Sequence, residues 1–425
     1  MNTKSGEARA ARPRMLVVLR DAYLDSLPGL MSLLEFMTEA GWDVSVLSVQ
    51  EPGFLPPTEW PGIRIAAVSG GRRIGPLRVR VPVTLALAWA AFRERRRWRP
   101  HVVLSGGVLG VAAARAAVWG SAVCRVQFVI ELPRDPAVPA KGGFHSTGLA
   151  RRAWSAFHGW VSRVIERVDV AAMREADMVI VQDQHRGHFL VERIGIDPRR
   201  LALLPNARRG GVCRKESHWL RHRFGIPAAQ RIALHSGGLG AWCQSLELVE
   251  SATRWPERWR LVLHTRLRPE TGVPYFDEVR RAAEAAGVCL SLEPVPAATL
   301  DELISSADVG IALYADRNGP AANLMGLASG KIGNYLKCGL PVISTGLPTV
   351  RDFVEHYQCG VCIDAVEEIP AALERIDADY ARYRQNAFRC YEELFDPEPR
   401  CGEIDRRMRG LAALALPSNG SGSLT

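Results

Sequence analysis

Several absences narrow the reading before any motif does. The apolar run "VPVTLALAWAAF", Val81–Phe92, is far too short to cross a bilayer. The opening stretch "MNTKSGEARAARPRM" has no apolar signal-peptide core, and the nine cysteines have no framework spacing. Together these exclude a disulfide scaffold and predict a reducing, cytoplasmic setting. "CGVC", Cys359–Cys362, has the spacing of a redox or half-zinc motif, but no second pair or nearby histidine completes it, so it reads as a turn into a buried strand. No Gly-x-Gly-x-x-Gly turn follows the first strand, where "RDAYLDSLPGL" stands instead. "SGGVLG" and "SGGLG" have the wrong spacing, which excludes a nicotinamide dehydrogenase. No recognition module for nucleic acid accompanies the basic patches, so no nucleic-acid partner is expected.

What is present is a long, well-packed chain. Its 425 residues exceed one ordinary domain, and a 47% hydrophobic, 23% charged composition suits two globular ones. The net charge of +9 is concentrated in Arg72, Arg73, Arg78 and Arg80, then Arg93, Arg95, Arg96, Arg97 and Arg99. An apolar helix between arginine clusters can lie in a membrane interface and meet anionic lipid. The same pattern also describes a core helix with a basic, solvated end. "RRAWSAFHGWVSRVIERV", Arg151–Val168, carries an apolar stripe at helical spacing that reads as core.

Short apolar runs alternate with helical stretches along the whole chain. "MLVVLR", "VSVLSV", "IRIAAV", "HVVLS", "VQFVIE" and "MVIVQ" lead to "LALLPNA", after which "RIALHSGG", "RLVLH", "CLSLEP", "DVGIALY", "PVIST" and "VCID" restart the series. Such strands belong in parallel sheets covered on both faces. The expected fold is α/β, two facing doubly wound Rossmann-like domains with a cleft between them. The expected boundaries are 1–205, 206–384 and, for a C-terminal helix returning to the first domain and a disordered tail, 385–425. Ligands in such folds bind at the carboxyl ends of the strands.

One segment carries chemistry of its own: "GLASGKIGNYLKCGLPVIST", Gly326–Thr345. Ser329 suits an N-cap, Gly330 permits close approach, and Ile332, Tyr335 and Leu336 fall at helical spacing to form a buried face. Gly339 stops the helix and Pro341 opens a strand. Free N–H groups at a helix start beside the Lys331 ammonium suit an anion such as phosphate. An ordinary strand–loop–helix with a solvated lysine has the same local pattern.

Several segments together resemble nucleotide-sugar glycosyltransferases of the two-domain B-type fold, most nearly the retaining family 4. They are "PGLMSLLEFMTEAGWDVSVLS", "EADMVIVQDQHRGHFLVERIGIDPRRLALLPNA", "SSADVGIALY", "GKIGNYLKCGLPVIST", "GLPTVRDFVEHYQCGVCID" and "YRQNAFRCYEELF", spanning residues 15–396. The resemblance implies an enzyme moving a sugar from a nucleotide-diphosphate sugar to a polysaccharide, glycolipid or small-molecule acceptor. It implies a retaining, metal-independent reaction with no cofactor beyond the donor. Ser329, Gly330 and Lys331 would meet the charge that builds on the departing diphosphate. A non-catalytic relative serving as a partner subunit is the alternative reading. If the arginine-rich region touches membrane, the acceptor is lipid-linked and the protein sits peripherally at the inner face.

Two departures from that family's pattern stand out. Asn334 and Gly326 occupy the positions of two glutamates that hold the donor ribose, and Asn334 lacks a carboxylate's grip. A donor with fewer ribose hydroxyls, such as a deoxythymidine diphosphate sugar, would lose less there. After the first C-terminal strand, "HSGGLGAWCQSLELV" lacks the expected arginine and lysine. The Gly237–Gly238 backbone and Arg266 are the replacement candidates, and His235 and His264 stand at neighbouring strand ends. On the acceptor side, Asp21, Gly29 in the loop after the first strand, and Glu131 at the end of "VQFVIE" fall at the carboxyl edge. Asp21 or Glu131 is the candidate to take the acceptor proton.

Overall fold

The computed structural model describes residues 12–415 apart from 20–23, 25–26, 51–59, 70–72, 75–78, 81–82, 134–163, 165, 267–273, 294, 297–298 and 316–322. In chain order the first half forms β1 (Arg14–Leu19), β2 (Asp43–Gln50), β3 (Ile63–Ser69), a short antiparallel pair β4 (Arg73–Ile74) and β5 (Val79–Arg80), then β6 (Val102–Gly106), β7 (Cys124–Phe128), β8 (Met178–Val181) and β9 (Leu201–Leu203). The second half forms β10 (Arg231–Ser236), β11 (Trp259–His264), β12 (Cys289–Ser291), β13 (Val309–Ala312), β14 (Val342–Thr345) and β15 (Gly360–Ile363). Two parallel sheets result, in the orders β3-β2-β1-β6-β7-β8-β9 and β12-β11-β10-β13-β14-β15. The expected pair of doubly wound α/β sheets is therefore the observed fold.

Burial explains why the strands lack polar alternation. Met15, Val17 and Leu19 of β1 enter one core cluster with Leu30, Met37 and Phe128, while Leu16 and Val18 enter another with Leu87, Val103 and Ala113. β10 divides in the same way, with Ile232 and Leu234 on one face and Ala233 on the other. A strand apolar on both faces is stable only where helices cover both sides.

The last described helix, Glu398–Ala415, packs on the first sheet. Ala387, Cys390, Tyr391 and Phe395 still pack in the core of the second sheet, whereas Cys401, Ile404, Met408 and Ala412 of the Glu398–Ala415 helix join the core of the first. The crossing thus falls at residues 396–398, later than residue 385, because the apolar face up to Phe395 matches the second sheet. Trp42 Nε1 donates to Asp405 Oδ1 at 2.7 Å and fixes the returning helix. The expected tail, 416–425, lies outside the described residues, as do Arg72, Arg78 and most of the Arg151–Val168 stripe.

The arginine-rich segment is helical over Val83–Trp98 and buries only Leu87 and Ala91, which leaves Leu85 61% and Trp89 65% exposed. Among the described residues no helix is long and apolar enough to cross a membrane.

Candidate active site

Both sheets reverse their strand order once, between β1 and β6 and between β10 and β13, and a crevice opens at the carboxyl edge of each such point. A helix that feeds a parallel strand runs antiparallel to it and so begins at that edge. The Gly330–Lys337 helix feeds β14, and the Pro28–Glu39 helix feeds β2. The two helix starts meet. A β-carbon at Gly330 would sit 3.0 Å from Pro28 Cγ, so a glycine here lets them touch.

Asn206 holds the junction together. Its Oδ1 accepts from the Gly29 N–H at 3.0 Å, and its Nδ2 donates to the Ala328 carbonyl at 3.0 Å. Its own N–H donates to the Leu327 carbonyl at 2.9 Å. Ser32 and Arg209 reinforce the same corner: Ser32 Oγ donates to the Ala207 carbonyl, and Arg209 pairs with both Glu398 and Glu39. Gly29 is therefore the second residue of a helix and not a loop residue, because Pro28 starts the helix at N1.

Ser329 caps the second helix as the sequence suggests. Its Oγ accepts from the Ile332 N–H at 3.2 Å and is hydrogen-bonded to the Tyr314 hydroxyl. Ile332, Tyr335 and Leu336 are fully buried, and Tyr335 Oη accepts from the Ser236 N–H at 2.7 Å, which ties the helix to the end of β10.

Lys331 turns back over the Gly237–Gly238 loop. Gly237 has a φ of 140°, a conformation that favours glycine, and a β-carbon there would lie 2.7 Å from Lys331 Cε. The ammonium sits 4.7 Å from the Trp242 ring centroid, 6.0 Å from that of Tyr314 and 3.5 Å from His235 Nε2. Burial and then the Lys331 charge push His235 down to about 3, leaving it neutral. Burial also lowers the Lys331 pKa. The ammonium stands between aromatic faces with no carboxylate partner among the described residues.

Of the other donor-side candidates, Asn334 is half-buried and its Oδ1 is buried without a partner among the described residues. Gly326 packs against Thr349. His264 Nδ1 is hydrogen-bonded to Ser291 Oγ at 2.9 Å, a structural role. Arg266 lies two residues beyond β11, near enough to depress His264 after burial has done so, to about 4.

The carboxyl edge of the first sheet is differently furnished. Gln127 Nε2 donates to Asp169 Oδ1 at 2.8 Å, and burial pushes Asp169 up to about 6. Arg186 is buried and donates to the Ile130 carbonyl of the first half at 3.1 Å and the Leu324 carbonyl of the second at 3.4 Å. Glu131 adds negative potential at both Asp169 and Arg186. It does not end the strand as read from "VQFVIE": β7 stops at Phe128, and Glu131 is exposed beyond it. Asp21 lies outside the described residues.

Sequence reasoning passed over Trp242, Tyr314, Asp169 and Arg186. Trp242 stood inside the quoted "SGGLGAWC", and its proximity to glycines that admit close approach was the available signal. Asp169 and Arg186 had none, since their neighbours are distant in the chain.

Comparison with known proteins agrees with this fold. Residues 28–207 match the glycosyl transferase 4-like domain, and residues 293–396 match the glucosyltransferase 3-like C-terminal domain. A search of curated proteins found no match. Among solved structures, sucrose-phosphate synthase from Thermosynechococcus elongatus is similar at 17% identity and a TM-score of 0.68, covering 95% of this chain and 100% of that one. Anabaena HepE, solved with UDP and glucose, is similar at 14% and 0.67, covering 94% and 100%. α,α-Trehalose 6-phosphate synthase from Burkholderia multivorans is similar at 12% and 0.59, covering 96% and 100%. At such identities the structural likeness carries the fold, and the domain matches carry the class. The protein is an enzyme of the glycosyltransferase class with the two-domain B-type fold. Within that class it resembles the family 4 proteins.

Proposed function

We propose that the enzyme transfers a sugar from a nucleoside-diphosphate sugar, with the diphosphate at the start of the Gly330–Lys337 helix. The observation that carries this reading is the desolvated Lys331 ammonium, held by Trp242 and Tyr314 where two helix starts converge. As the bond between sugar and diphosphate breaks, negative charge grows on the leaving phosphate while the sugar becomes oxocarbenium-like. Fixed N–H groups of Gly330 and Lys331 and the ammonium stabilise that charge without reorganising. Gly237 and Gly238 let the phosphates approach the backbone, Asn334 Oδ1 accepts from a ribose hydroxyl, and Arg266 stands at the donor-side rim. The acceptor enters from the first sheet, where Glu131 or Asp21 takes its proton. Front-face attack by the acceptor, with retained configuration, fits a site in which no protein nucleophile is assigned.

A glycan, lipid-linked or small-molecule acceptor suits this arrangement, and the Val83–Trp98 helix favours a lipid-linked one. Leu85 and Trp89 stand exposed, Trp89 stacks on Phe92, and Arg95 and Arg96 lie over the Phe92 ring. Such a helix fits an anionic membrane surface on a peripheral, inner-face protein.

A thermal-shift panel of nucleoside diphosphates and their sugar conjugates tests the donor site. A ligand at 100 times its Kd stabilises the folded state by about 2.7 kcal/mol. The expected result is a selective shift in wild type that Lys331→Ala abolishes. Uridine against deoxythymidine conjugates reads the ribose contact at Asn334. No shift with any nucleotide would overturn the reading.

A further inference from the structure

The loop between β10 and the Ser245–Ala252 helix is braced from within by two fully buried side chains, Cys243 and Ser245. The Cys243 thiol donates to the Gly238 carbonyl at 3.2 Å, with the Gly240 carbonyl at 3.3 Å and Ser245 Oγ at 3.2 Å. Ser245 Oγ accepts from the Gly240 N–H at 3.1 Å. Of the nine cysteines, Cys243 alone joins or borders none of the hydrophobic core clusters. Its surroundings are loop backbone and a hydroxyl, so filling apolar space does not explain it.

The same loop carries Trp242. A β-carbon at Gly240 would lie 2.6 Å from Trp242 Cδ1, and one at Gly238 would lie 3.4 Å from Cζ2, so the indole lies along the two glycines. The ring meets the Lys331 ammonium at 4.7 Å, while the Lys331 stem crosses Gly237. His235 Nε2 is 3.3 Å from the Gly238 carbonyl and 3.5 Å from Lys331 Nζ. Glycines leave this loop free to adopt other shapes, and a ring holds a cation only within about 6 Å of its centroid. Something must therefore fix the loop for the ring to stay over the ammonium. The thiol is a weak donor, but it is the residue next to Trp242 and grips the two glycines on which the indole lies.

We propose that Cys243 is a positioning residue: its thiol and the Ser245 hydroxyl hold the glycine loop so that the Trp242 ring covers the Lys331 ammonium. Its consequence for transfer acts through Lys331 and rests on the donor reading above. Removing the thiol proton leaves the Gly238 carbonyl short of a partner and lets the loop, with Trp242, move off the ammonium.

The test reads Lys331 in the full-length protein without nucleotide. The chain has only five lysines, Lys4, Lys141, Lys215, Lys331 and Lys337, so ε-13C-lysine labelling gives a simple spectrum that Lys331→Arg assigns. In wild type the Lys331 ε-protons should be shielded by the indole face, and Trp242→Leu marks the unshielded position. Cys243→Ala should carry the resonance most of the way to that position, whereas Cys243→Ser, which keeps a donor, should leave it in place. Cys124→Ala, a buried thiol lost from the first sheet, should also leave it in place and so controls for general destabilisation. Ser245→Ala keeps the thiol but removes its partner and should shift the resonance the same way, which decides the matter if Cys243→Ala does not fold. An unmoved resonance in these two alanine variants would overturn the proposal, as would equal movement in Cys243→Ser or Cys124→Ala. With the donor that the nucleotide panel identifies, Cys243→Ala should lower kcat about 10-fold with little change in KM, because the Lys331 charge acts chiefly on the developing charge. A wild type that binds no nucleotide removes the donor reading, while the resonance still decides the brace.

Discussion

The two sheets share one winding order but present opposite chemistry at their carboxyl edges. In the second, neutral His235 and the faces of Trp242 and Tyr314 surround one ammonium, Lys331. In the first, Asp183 and Glu131 act on Arg186, whose guanidinium is engaged by two backbone carbonyls, and Glu131 also acts on the buried Asp169. Topology therefore decides where each crevice opens, and the side chains decide its sign. On the proposed reading, the cationic edge suits the charge that grows on the leaving diphosphate, and the carboxylate-bearing edge suits removal of the acceptor's proton.

The contrast can be broken most sharply at Lys331. Lys331→Ala should lower turnover by about 10²–10³-fold, the scale of losing one preorganised charge-stabilising group, with far-UV circular dichroism unchanged. Steady-state kinetics with the donor identified by the nucleotide panel would measure it. Glu131→Gln should reduce kcat by about 10²-fold while leaving the nucleotide-induced thermal shift intact, since it acts on the opposite edge. Loss of both together would show that the edges are not separable.

A smaller effect is expected where the two edges are joined. Asn206→Ala removes the side-chain bonds to Gly29 and Ala328 and leaves a partly buried N–H and carbonyl unpaired. Urea unfolding should show a loss of about 1–3 kcal/mol. A further change of similar size concerns pH. Asp169 titrates at about 6 in the folded protein against 3.8 ordinarily, so between pH 4 and 6 the folded state holds more protons than the unfolded one. Stability contributed by this group is then present below pH 4 and lost as pH rises through 6, a difference of about 3 kcal/mol at most. Asp169→Asn should flatten the stability profile over that window, and equal slopes for the two proteins would remove Asp169 from the account.

Much of the donor edge was legible because its signals are local. Ser329 as cap, Lys331 in the first turn, Ile332, Tyr335 and Leu336 as buried face, and Gly339 as stop all lie within eleven residues and obey helical periodicity. Gly29 was misplaced by a few residues because Pro28 suits a loop and a helix start equally well. Glu131 was assigned to the strand end since "VIE" continues the apolar run, although the ladder ends at Phe128. The crossing to the last helix was placed too early, because the apolar positions on either side of Phe395 are alike in the chain and differ only in which core receives them.

By itself the sequence determined the two parallel sheets, their helices and the helix start that faces the cleft, since periodicity, caps and apolar runs act over a few residues. The tertiary structure decided which ends meet. Asn206 touches Gly29 and Ala328 across 177 and 122 residues, and Lys331 finds Trp242 across the glycine loop. Desolvation and charge environment depend on those encounters, and close packing of distant segments is what creates them.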